Sequence, residues 1–550
     1  MQDAQDGPSR TDVDAIVVGA GFSGLDAVHV LRERGYTVQG IEAAGGVGGT
    51  WYWNRYPGAR TDSKAFIYCL SFSKELREEW DWSELYPTQP EVLAYLEHVA
   101  DRFDLKRYFA FDTTVTAATW DDDTSLWTVD TSTGRRFRAR YLISGVGCLS
   151  AVNRPQFDGI ERFQGRVEHT ARWPQEGVDV SGQRVALIGA GSSGVQLLPE
   201  LAKTAGSVTL FQRTPNYVAP YTSTRFSDED REAYRRDHEA IQAHIRQNPG
   251  TMYFSPAGPS AKLADPAERE TVFEQAYAQG GLAMLLGTYE DLLVDPESND
   301  LASEFLRSKI KETVHDRETA EILTPRTYPF GVKRPPCGVG YLDAFNEPTV
   351  SVVDVRSTPI EGFTERGLVV DGSEYEFDVI ILATGFDASV GALLRLNVTG
   401  RNGRRLADVW AHGPESYLGL GIPDFPNLFT IIGPLSAFGN LPTVVEHNVD
   451  FVADLLDKAR AAGTPVVEAD VAATDAWVQE SRTIAAQTLL TSAKAANSWI
   501  MGANLEGREL AVLWYPAGAN TYFDRCDEER ERGFPGFSLA PAVPTTAMAV

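Results

Sequence analysis

The chain has 550 residues, of which 43% are hydrophobic and 10% aromatic, enough apolar material for several packed cores. It carries 50 Lys and Arg against 76 Asp and Glu, and a formal net charge of −26 argues against nucleic acid or an anionic membrane as partners. The polar, acidic start of the chain predicts that it has no signal peptide, and no run approaches the roughly 20 apolar residues of a membrane span. The four cysteines are too widely spaced for a zinc knuckle, and we predict a cytoplasmic protein.

The first predicted unit is a strand, a glycine-rich turn and a helix. An apolar strand at 15–18 leads into Gly19, Gly21, Ser23 and Gly24, and the following helical pattern over 25–34 ends before a glycine. Such a turn presents backbone N–H groups and the positive end of the helix dipole to a pyrophosphate. Glu42 ends the next strand, at 38–41, where a carboxylate accepts hydrogen bonds from adenosine ribose hydroxyls. This combination suits FAD or NAD.

The same pattern occurs again further along the chain. A strand at 184–188 is followed by the turn residues Gly189, Gly191, Ser192, Ser193 and Gly194. The next strand, at 207–211, is followed by Arg213 and Thr214 instead of an acid. A guanidinium at that position would pair with the 2′-phosphate of NADPH. Two such turns in one chain imply electron transfer from NADPH to a flavin.

Three classes of enzyme combine these cofactors: disulfide reductases, iron–sulfur relays and oxygenases. The first two need cysteine pairs or a four-cysteine cluster. Cys69, Cys148, Cys337 and Cys526 are too far apart in sequence to form a CxxC pair. A diffusible electron acceptor is therefore expected, and dioxygen is the leading candidate.

The remaining chain predicts a helical insertion and two interrupted domains. Residues 223–325 are charged and helical in pattern, which we interpret as an insertion that walls the active site, and strands return at 350–355 and 379–382. The expected fold class is α/β, with two Rossmann-like domains and this helical insertion. We predict an FAD domain at 1–145 and 386–540 and an NADPH domain at 150–222 and 326–385. The Ala-, Pro- and Thr-rich residues after Phe537 predict a disordered tail, bounded at 541–550.

Two longer motifs carry a resemblance to a known family. Residues 163–174 match FxGxxxHxxxWP through Phe163, Gly165, His169, Trp173 and Pro174, and residues 48–58 read GGTWYWNRYPG with Asp62 shortly after. The chain resembles the Baeyer–Villiger monooxygenases, which are class B flavoprotein monooxygenases, and most closely the cyclohexanone monooxygenase branch. The steroid and phenylacetone monooxygenases are near relatives. Flavin monooxygenases that oxidise nitrogen or sulfur share the glycine turns but generally lack the Trp-Pro ending.

The resemblance implies a reaction and its partners. NADPH reduces FAD, the reduced flavin adds dioxygen to form a C(4a)-peroxide, and the peroxide attacks a ketone, which rearranges to an ester or, from a cyclic ketone, a lactone. The implied partners are a small ketone and dioxygen, for a monomer or weak homo-oligomer. An enzyme that mainly oxygenates sulfur or nitrogen, and a redox-sensing flavoprotein without a substrate, remain alternatives.

The resemblance also implies roles for individual residues. Arg334 is the expected catalytic arginine, since a guanidinium stabilises negative charge without giving up its proton, and Asp62 is expected to pair with it. The family usually has an acid two residues after this aspartate, and here Lys64 takes that position. His169 and the rest of the 163–174 motif are expected to serve as a hinge or packing element.

Three sets of binding residues follow from the resemblance. The expected FAD contacts are Gly19, Gly21, Ser23, Gly24, Glu42, Thr50, Trp51, Tyr52, Trp53, Asp62, Tyr68, Val115 and Cys148. The expected NADPH contacts are Arg60, Thr61, Asp62, Gly189, Gly191, Ser192, Ser193, Gly194, Arg213, Thr214, Lys333 and Trp499. The expected substrate pocket is lined by Phe438 and Trp514. No metal is expected.

Overall fold

The computed structural model describes residues 10–221, 224–505 and 507–543. Its strands are β1 (Arg10–Val18), β2 (Val38–Ile41), β3 (Phe109–Ala110), β4 (Val115–Asp121), β5 (Leu126–Thr131), β6 (Arg136–Ser144), β7 (Arg166–His169), β8 (Arg184–Ile188), β9 (Ser207–Gln212), β10 (Ala219–Pro220), β11 (Cys337–Gly338), β12 (Val350–Asp354), β13 (Ile360–Phe363), β14 (Gly367–Val370), β15 (Ser373–Glu376), β16 (Val379–Leu382), β17 (Val398–Thr399), β18 (Leu428–Thr430), β19 (Val466–Ala469) and β20 (Phe537–Ala540). Its α-helices are α1 (Phe22–Glu33), α2 (Thr50–Trp53), α3 (Lys74–Glu79), α4 (Gln89–Arg102), α5 (Ser192–Ala202), α6 (Asp228–Arg236), α7 (His238–Gln247), α8 (Pro266–Gln279), α9 (Ala283–Leu286), α10 (Pro296–Thr313), α11 (Arg317–Leu323), α12 (Gly391–Leu394), α13 (Leu406–Val409), α14 (Leu441–Ala461), α15 (Val471–Ala486) and α16 (Ala519–Glu531).

The larger sheet has the strand order β17-β4-β5-β6-β1-β2-β3, with β18 also paired to β6. Strands β6, β1, β2 and β3 are parallel, whereas β4, β5 and β6 form an antiparallel meander. Ile16 and Val17 of the central strand are fully buried, as expected where helices cover both faces of a parallel sheet. Helices α1 and α14 pack against each other beside this sheet.

The second sheet is parallel throughout and has the order β12-β9-β8-β16-β7. Its strand β16 has the predicted bounds of 379–382, and β12 ends one residue before the predicted strand at 350–355. A small antiparallel sheet of β13, β14 and β15 lies in the chain between β12 and β16. Each of the two sheets is therefore built from two separate stretches of the chain.

Each sheet contains one of the predicted strand–turn–helix units. Strand β1 leads through the first glycine turn into α1 and then β2, and β8 leads through the second turn into α5 and then β9. A Cβ at Gly24 would lie 1.7 Å from the carbonyl oxygen of Gly19, and one at Gly194 would lie 2.1 Å from that of Gly189. Only glycine lets each helix start so close to its turn. The predicted α/β fold class is confirmed.

The stretch between the two parts of the second sheet is helical, with helices α6 to α11. Helix α8 is capped at its N-terminus by Asp265, whose carboxylate accepts hydrogen bonds from the N–H groups of Ala267 and Glu268. At the other end of the chain, residues 538–540 do not belong to a disordered tail, since β20 pairs antiparallel with β19. Residues 544–550 of the predicted tail lie outside the described residues. No helix among the described residues is both long and apolar enough to cross a membrane.

A buried pair of acids lies where α1 packs against α14. Asp26 is 1% exposed, and neither of its carboxylate oxygens has a hydrogen-bond partner within the described residues. Glu446 accepts hydrogen bonds from the N–H groups of Ser71 and Phe72 and from the Ser71 hydroxyl. Burial, with Glu446 and Asp450 nearby, raises the pKa of Asp26 well above its usual value, and burial raises the pKa of Glu446 to about 7. Of the two carboxyl groups, Asp26 has no hydrogen bond from the described residues to stabilise its charged form, whereas three hydrogen bonds favour the charged form of Glu446.

Replacing Asp26 by Asn is therefore expected to make the fold less sensitive to alkaline pH. Because the folded pKa values are raised, the native state binds more protons than the unfolded chain, so its stability falls as pH rises from about 4.5 through 7 and beyond. A permanently neutral Asn removes the Asp26 part of that loss. The fall in apparent Tm between pH 6 and pH 9 should therefore be about 2 °C smaller in D26N than in the wild type. Differential scanning fluorimetry across pH measures this. The exposed Asp475 on α15 supplies the control D475N, and equal pH profiles for the two variants would contradict the assignment.

Candidate functional site

A single cleft with a volume of about 1490 Å³ joins the two glycine turns. It runs from the first turn, past Asp62 and Arg334, to the second turn. The predicted site residues that line it are Gly19, Gly21, Ser23, Glu42, Thr50, Trp51, Trp53, Arg60, Thr61, Asp62, Tyr68, Val115, Cys148, Gly189, Gly191, Ser192, Ser193, Arg213, Thr214, Lys333, Arg334, Phe438 and Trp499.

The other predicted residues lie outside this lining. Gly24 and Gly194 stand beneath their turns and permit the close helix approach described above. Tyr52 is outside the lining, although its neighbours Trp51 and Trp53 belong to it. Its ring lies under the Arg55 guanidinium, at 4.8 Å. Trp514, predicted as a pocket residue, is 4% exposed and packs behind Phe438, with 5.0 Å between the ring centroids.

Glu42 is fixed by the backbone at the first turn. Its two carboxylate oxygens accept hydrogen bonds of 2.7 Å each, from the N–H groups of Ala20 and Ala44. Burial raises the pKa of Glu42, while these hydrogen bonds and Arg172 favour its charged form. Each carboxylate oxygen can accept a further hydrogen bond. The side chain is thus held rigidly at the cleft wall with acceptor capacity to spare.

A cluster of positive charge lies at the second turn. Arg213, after β9, is exposed, and Lys333 is partly buried beside it. Neither forms an ion pair with a carboxylate of the described chain. Burial and the neighbouring Arg213 charge lower the pKa of Lys333 to about 8. Thr214 is held in place by Asn497, whose amide donates a 2.8 Å hydrogen bond to its hydroxyl. Two adjacent cations that no described carboxylate neutralises, together with the Thr214 hydroxyl, form a site suited to a phosphate.

Arg334 and Asp62 form an ion pair between the two turns. Arg334 Nη2 contacts Asp62 Oδ2, and the side chains are 25% and 6% exposed. Burial disfavours the guanidinium charge, but Asp62 and other nearby groups raise the pKa of Arg334 overall, so it stays charged. Lys64 does not join this pair, since its ammonium lies 4.9 Å from the ring centre of Phe254. The predicted pairing of Arg334 with Asp62 is present in the structure.

The aromatic wall of the cleft has two parts. Beside the first turn, the Trp51 indole donates a 3.2 Å hydrogen bond to the Tyr68 hydroxyl, and the two rings meet edge to face. Further along, the Phe438 ring contacts Trp499, with 5.4 Å between their centroids. The Ser498 hydroxyl donates to the carbonyl oxygen of Val332, which places Trp499 near Lys333. The Ser498 hydrogen bond thus links the C-terminal part of the chain to the segment that carries Lys333 and Arg334.

The five matched residues of the 163–174 motif lie outside the cleft lining, although Arg172 between them belongs to it. The His169 ring accepts a hydrogen bond on Nδ1 from Ala171 N–H, and its Nε2 lies 3.1 Å from the Thr384 hydroxyl. That hydroxyl donates to the carbonyl oxygen of Asn153. Burial lowers the pKa of His169 to about 4, so the ring is neutral. Phe163 and Trp173 are buried, and Pro174 follows. A Cβ at Gly165 would lie 2.5 Å from a backbone oxygen.

Sequence reasoning missed several polar residues of the site. The Tyr221 hydroxyl donates to Asp62, although 159 positions separate the two residues. The Tyr56 hydroxyl donates a 2.8 Å hydrogen bond to the amide oxygen of Gln196 on α5, and so joins the two halves of the cleft. No local motif marks Tyr56 or Tyr221. Asn497 precedes the Ser498–Trp499 stretch and could have been suspected from that position alone.

Comparison with known proteins agrees with this geometry. Residues 13–230 match the family model described as FMO-like, flavin-binding monooxygenase-like. The chain is 42% identical, over 95% of its length and 95% of the relative's, to a Baeyer–Villiger monooxygenase of Pseudooceanicola batsensis. The chain belongs to the Baeyer–Villiger monooxygenase family. This confirms the resemblance given by the two sequence motifs.

Two further similarities bear on the enzyme's chemistry. The chain is 40% identical to the phenazine N-monooxygenase PhzNO1 of Lysobacter antibioticus, with 96% of the chain and 97% of the relative covered. The solved structure of cyclohexanone monooxygenase from Rhodococcus sp. Phi1, bound to NADP⁺, superposes with a TM-score of 0.94 at 39% identity. The match covers 97% of this chain and all of that one. The proteins similar to this chain therefore include both a ketone monooxygenase and a nitrogen monooxygenase.

Proposed function

We propose that this enzyme carries out the Baeyer–Villiger oxidation of ketones to esters, or of cyclic ketones to lactones, with FAD, NADPH and dioxygen. The observation that carries the proposal is the Arg334–Asp62 pair, which lies in one cleft between two dinucleotide-type turns. In the overall reaction, ketone, O₂, NADPH and H⁺ give ester, NADP⁺ and H₂O. One oxygen atom enters a C–C bond of the ketone and the other leaves as water.

The residues present fit FAD at the first turn. Gly19, Gly21 and Ser23 line the cleft where α1 begins, so the helix would present its free N–H groups to a pyrophosphate. Glu42 retains acceptor capacity for ribose hydroxyls, and Val115, Cys148 and Thr50 line the same cleft. We assign this role to residues 1–145 and 386–540, which contain the described strands of the larger sheet.

The residues at the second turn fit NADPH. Gly191, Ser192 and Ser193 line the start of α5, and the unpaired charges of Arg213 and Lys333 suit a 2′-phosphate. We assign this role to residues 150–222 and 326–385, with 223–325 as the helical insertion. The neutral His169, which bridges segments near 153 and 384, supports a hinge or packing role more than proton transfer.

The chain's own residues supply charge and orientation. Bound FAD, once reduced by NADPH, would supply the electrons that activate dioxygen. Arg334 keeps a fixed positive charge at the cleft, where it would stabilise the negative charge that develops as oxygen adds to a ketone. Asp62 holds that guanidinium in place. Trp51 and Tyr68 restrict water at the same wall.

Cyclic ketones are the substrate class that we propose. The cleft that contains Arg334 and Trp499 is also lined by the apolar side chains of Phe438, Leu441, Val445 and Ile432, and Phe438 contacts Trp499. Such a wall would bind a hydrocarbon ring while its carbonyl faces Arg334. The solved cyclohexanone monooxygenase, at 39% identity, supports the same class.

The test is product analysis with a panel of ketones, from cyclopentanone to a steroid, together with a thioether. We expect a lactone or ester from at least one cyclic ketone, at nearly one per NADPH consumed. Sulfoxide as the only product from the panel would contradict the proposal. Scoring product avoids mistaking uncoupled NADPH oxidation for turnover.

Nitrogen oxygenation is the second candidate, and the 40% identity to phenazine N-monooxygenase PhzNO1 is the observation that favours it. The same cofactors can oxidise a soft nitrogen without a carbonyl intermediate. Assay with phenazine beside cyclohexanone separates the two activities. An N-oxide formed in preference to any ester would make this candidate the main function.

We also propose a cytoplasmic location. All four cysteines are free, and three of them are buried, as suits a protein kept in reducing conditions. A monomer or weak homo-oligomer stays a prediction.

A further inference from the structure

The Asp62 carboxylate has a different partner on each oxygen. Oδ2 contacts Arg334, and Oδ1 accepts a hydrogen bond from the Tyr221 hydroxyl. The aspartate side chain is only 6% exposed, so these two groups replace most of the water that would otherwise solvate it. Tyr221 itself is 6% exposed. The pair of Arg334 and Asp62 is thus part of a triad with Tyr221, in which Asp62 and Tyr221 are buried.

The fold brings Tyr221 and Arg334 to the same carboxylate through a short strand pair. Strand β10 ends at Pro220, directly before Tyr221, and β11 begins at Cys337, three residues after Arg334. The two strands are parallel, and the Tyr221 N–H donates a 3.0 Å hydrogen bond to the carbonyl oxygen of Gly338. This pairing holds the backbone at Tyr221 close to the backbone that follows Arg334, so both side chains can reach the same carboxylate.

The Tyr221 hydroxyl has one proton and two acceptors within reach. Besides Asp62 Oδ1, the carbonyl oxygen of Thr61 lies 2.8 Å away. Burial and the Asp62 charge raise the pKa of Tyr221 well above its usual value, so the phenol remains a donor at every working pH. The charged carboxylate is the stronger acceptor of the two.

We propose that Tyr221 is a positioning residue, which keeps Arg334 available to the reaction by occupying the second oxygen of Asp62. Within the described residues, the shortest contact between Arg334 and the carboxylate joins Nη2 to Oδ2, whereas Oδ1 is occupied by the Tyr221 hydroxyl. Without the phenol, Oδ1 would be a buried acceptor with no donor. A guanidinium readily takes both oxygens of a carboxylate in a two-pronged contact. Arg334 would then turn towards Asp62 and away from the reacting oxygen.

This inference rests on the proposed function, because it assigns Tyr221 a role in ester formation. The test variant is Y221F, which keeps the ring and removes only the hydroxyl. Tyr86 offers a matched control, since its ring packs 4.8 Å from that of Tyr221 and its buried hydroxyl has no partner within the described residues. Y86F therefore removes a phenol hydroxyl from the same aromatic cluster without touching Asp62.

The measurement is the ratio of hydrogen peroxide to ester, with NADPH consumption followed in parallel. For Y221F we expect the ratio to rise about tenfold, at nearly unchanged NADPH consumption, as follows from the loss of one charge-assisted hydrogen bond. For Y86F we expect less than a twofold change. A purely structural role for Tyr221 would lower NADPH consumption and ester formation together. Equal ratios in the two variants would overturn the inference.

Crystal structures supply a readout that does not depend on activity. In Y221F we expect Arg334 to contact both oxygens of Asp62, and a contact with Oδ2 alone would overturn the inference. Should Y221F fail to fold, the wild-type crystal structure decides: a separation of Tyr221 Oη from Asp62 Oδ1 beyond about 3.5 Å would overturn it. If wild-type enzyme forms no ester from any ketone, the proposed function fails, whereas the Arg334 geometry in Y221F still tests the positioning role.

Discussion

Arg334→Ala is expected to consume NADPH at nearly the wild-type rate while ester formation falls about 10²–10³-fold, the usual cost of removing one charge-stabilising group from an active site. The reason is that Arg334 contributes charge to the oxygen-transfer step, whereas hydride transfer from NADPH does not depend on that charge. Hydrogen peroxide should appear in place of the ester. Gas chromatography of the lactone and a peroxide assay measure the two outcomes.

Arg326→Ala is the matched control for this experiment. Arg326 lies in the same segment of chain, is exposed, and pairs with Glu321 on α11. Its loss should leave both NADPH consumption and ester yield unchanged. Full lactone yield from the Arg334 variant would contradict the central role of that residue.

The second large effect is expected at the phosphate site. Arg213→Ala should raise the KM for NADPH by about 10- to 100-fold, since a hydrogen-bonded ion pair with a phosphate contributes about 1.5–3 kcal/mol. NADH lacks the 2′-phosphate, so its KM should hardly change. The ratio of kcat/KM for the two cofactors, measured by stopped-flow flavin reduction, gives the selectivity. Equal losses for NADPH and NADH would contradict the assignment of Arg213.

Lys333 adds a pH dependence to this binding. In the free protein its pKa is lowered to about 8, and a bound phosphate dianion would raise it again. The charged form binds better, so the affinity for NADP⁺ is full below about pH 8 and falls as pH rises above it. Titration calorimetry at pH 7 to 10 should show proton uptake above pH 8. Lys333→Met should abolish that uptake, whereas K311M, at an exposed lysine of α10, should preserve it.

The glycine turns are the part of the fold that the sequence predicts best. Their spacing encodes a backbone geometry that only glycine permits, so the turns, their strands and the helices α1 and α5 could be placed from local pattern alone. The last strand, β20, could not be placed in this way. Residues 538–540 look like linker by composition, but they pair with β19, and a partner strand so distant in sequence leaves no local signal.

The site likewise contains residues that could be predicted from local sequence and residues that could not. Arg213 and Glu42 are predictable because each follows a strand at a fixed distance from its turn. Tyr221 is not, because its role depends on the two-residue pairing of β10 with β11 and on Asp62 far away in the sequence. Trp514, predicted to line the substrate pocket, is not among the cleft-lining residues for a related reason. Which face of an aromatic cluster meets the cleft is decided by packing against Phe438, and composition cannot reveal that.

Lys64 is a departure from the family pattern that the structure explains. An acid is usual at this position, and a lysine beside Asp62 could have disturbed the Arg334 pair. Its ammonium instead lies against the rings of Phe254 and Tyr253, at 4.9 and 5.7 Å from their centres. Burial lowers the pKa of Lys64, and the aromatic rings provide the compensating attraction. The charge balance of Asp62 and Arg334 is thus kept.

The most direct measurement of the proposed chemistry is a turnover with ¹⁸O₂ and a cyclic ketone such as cyclohexanone. Mass spectrometry of the product should find one ¹⁸O atom in the ring position of the lactone, with the carbonyl oxygen unlabelled. That pattern requires insertion of an oxygen atom from dioxygen into a C–C bond of the ketone. NADPH oxidation with labelled hydrogen peroxide as its only labelled product, across the whole ketone panel, would contradict a Baeyer–Villiger function.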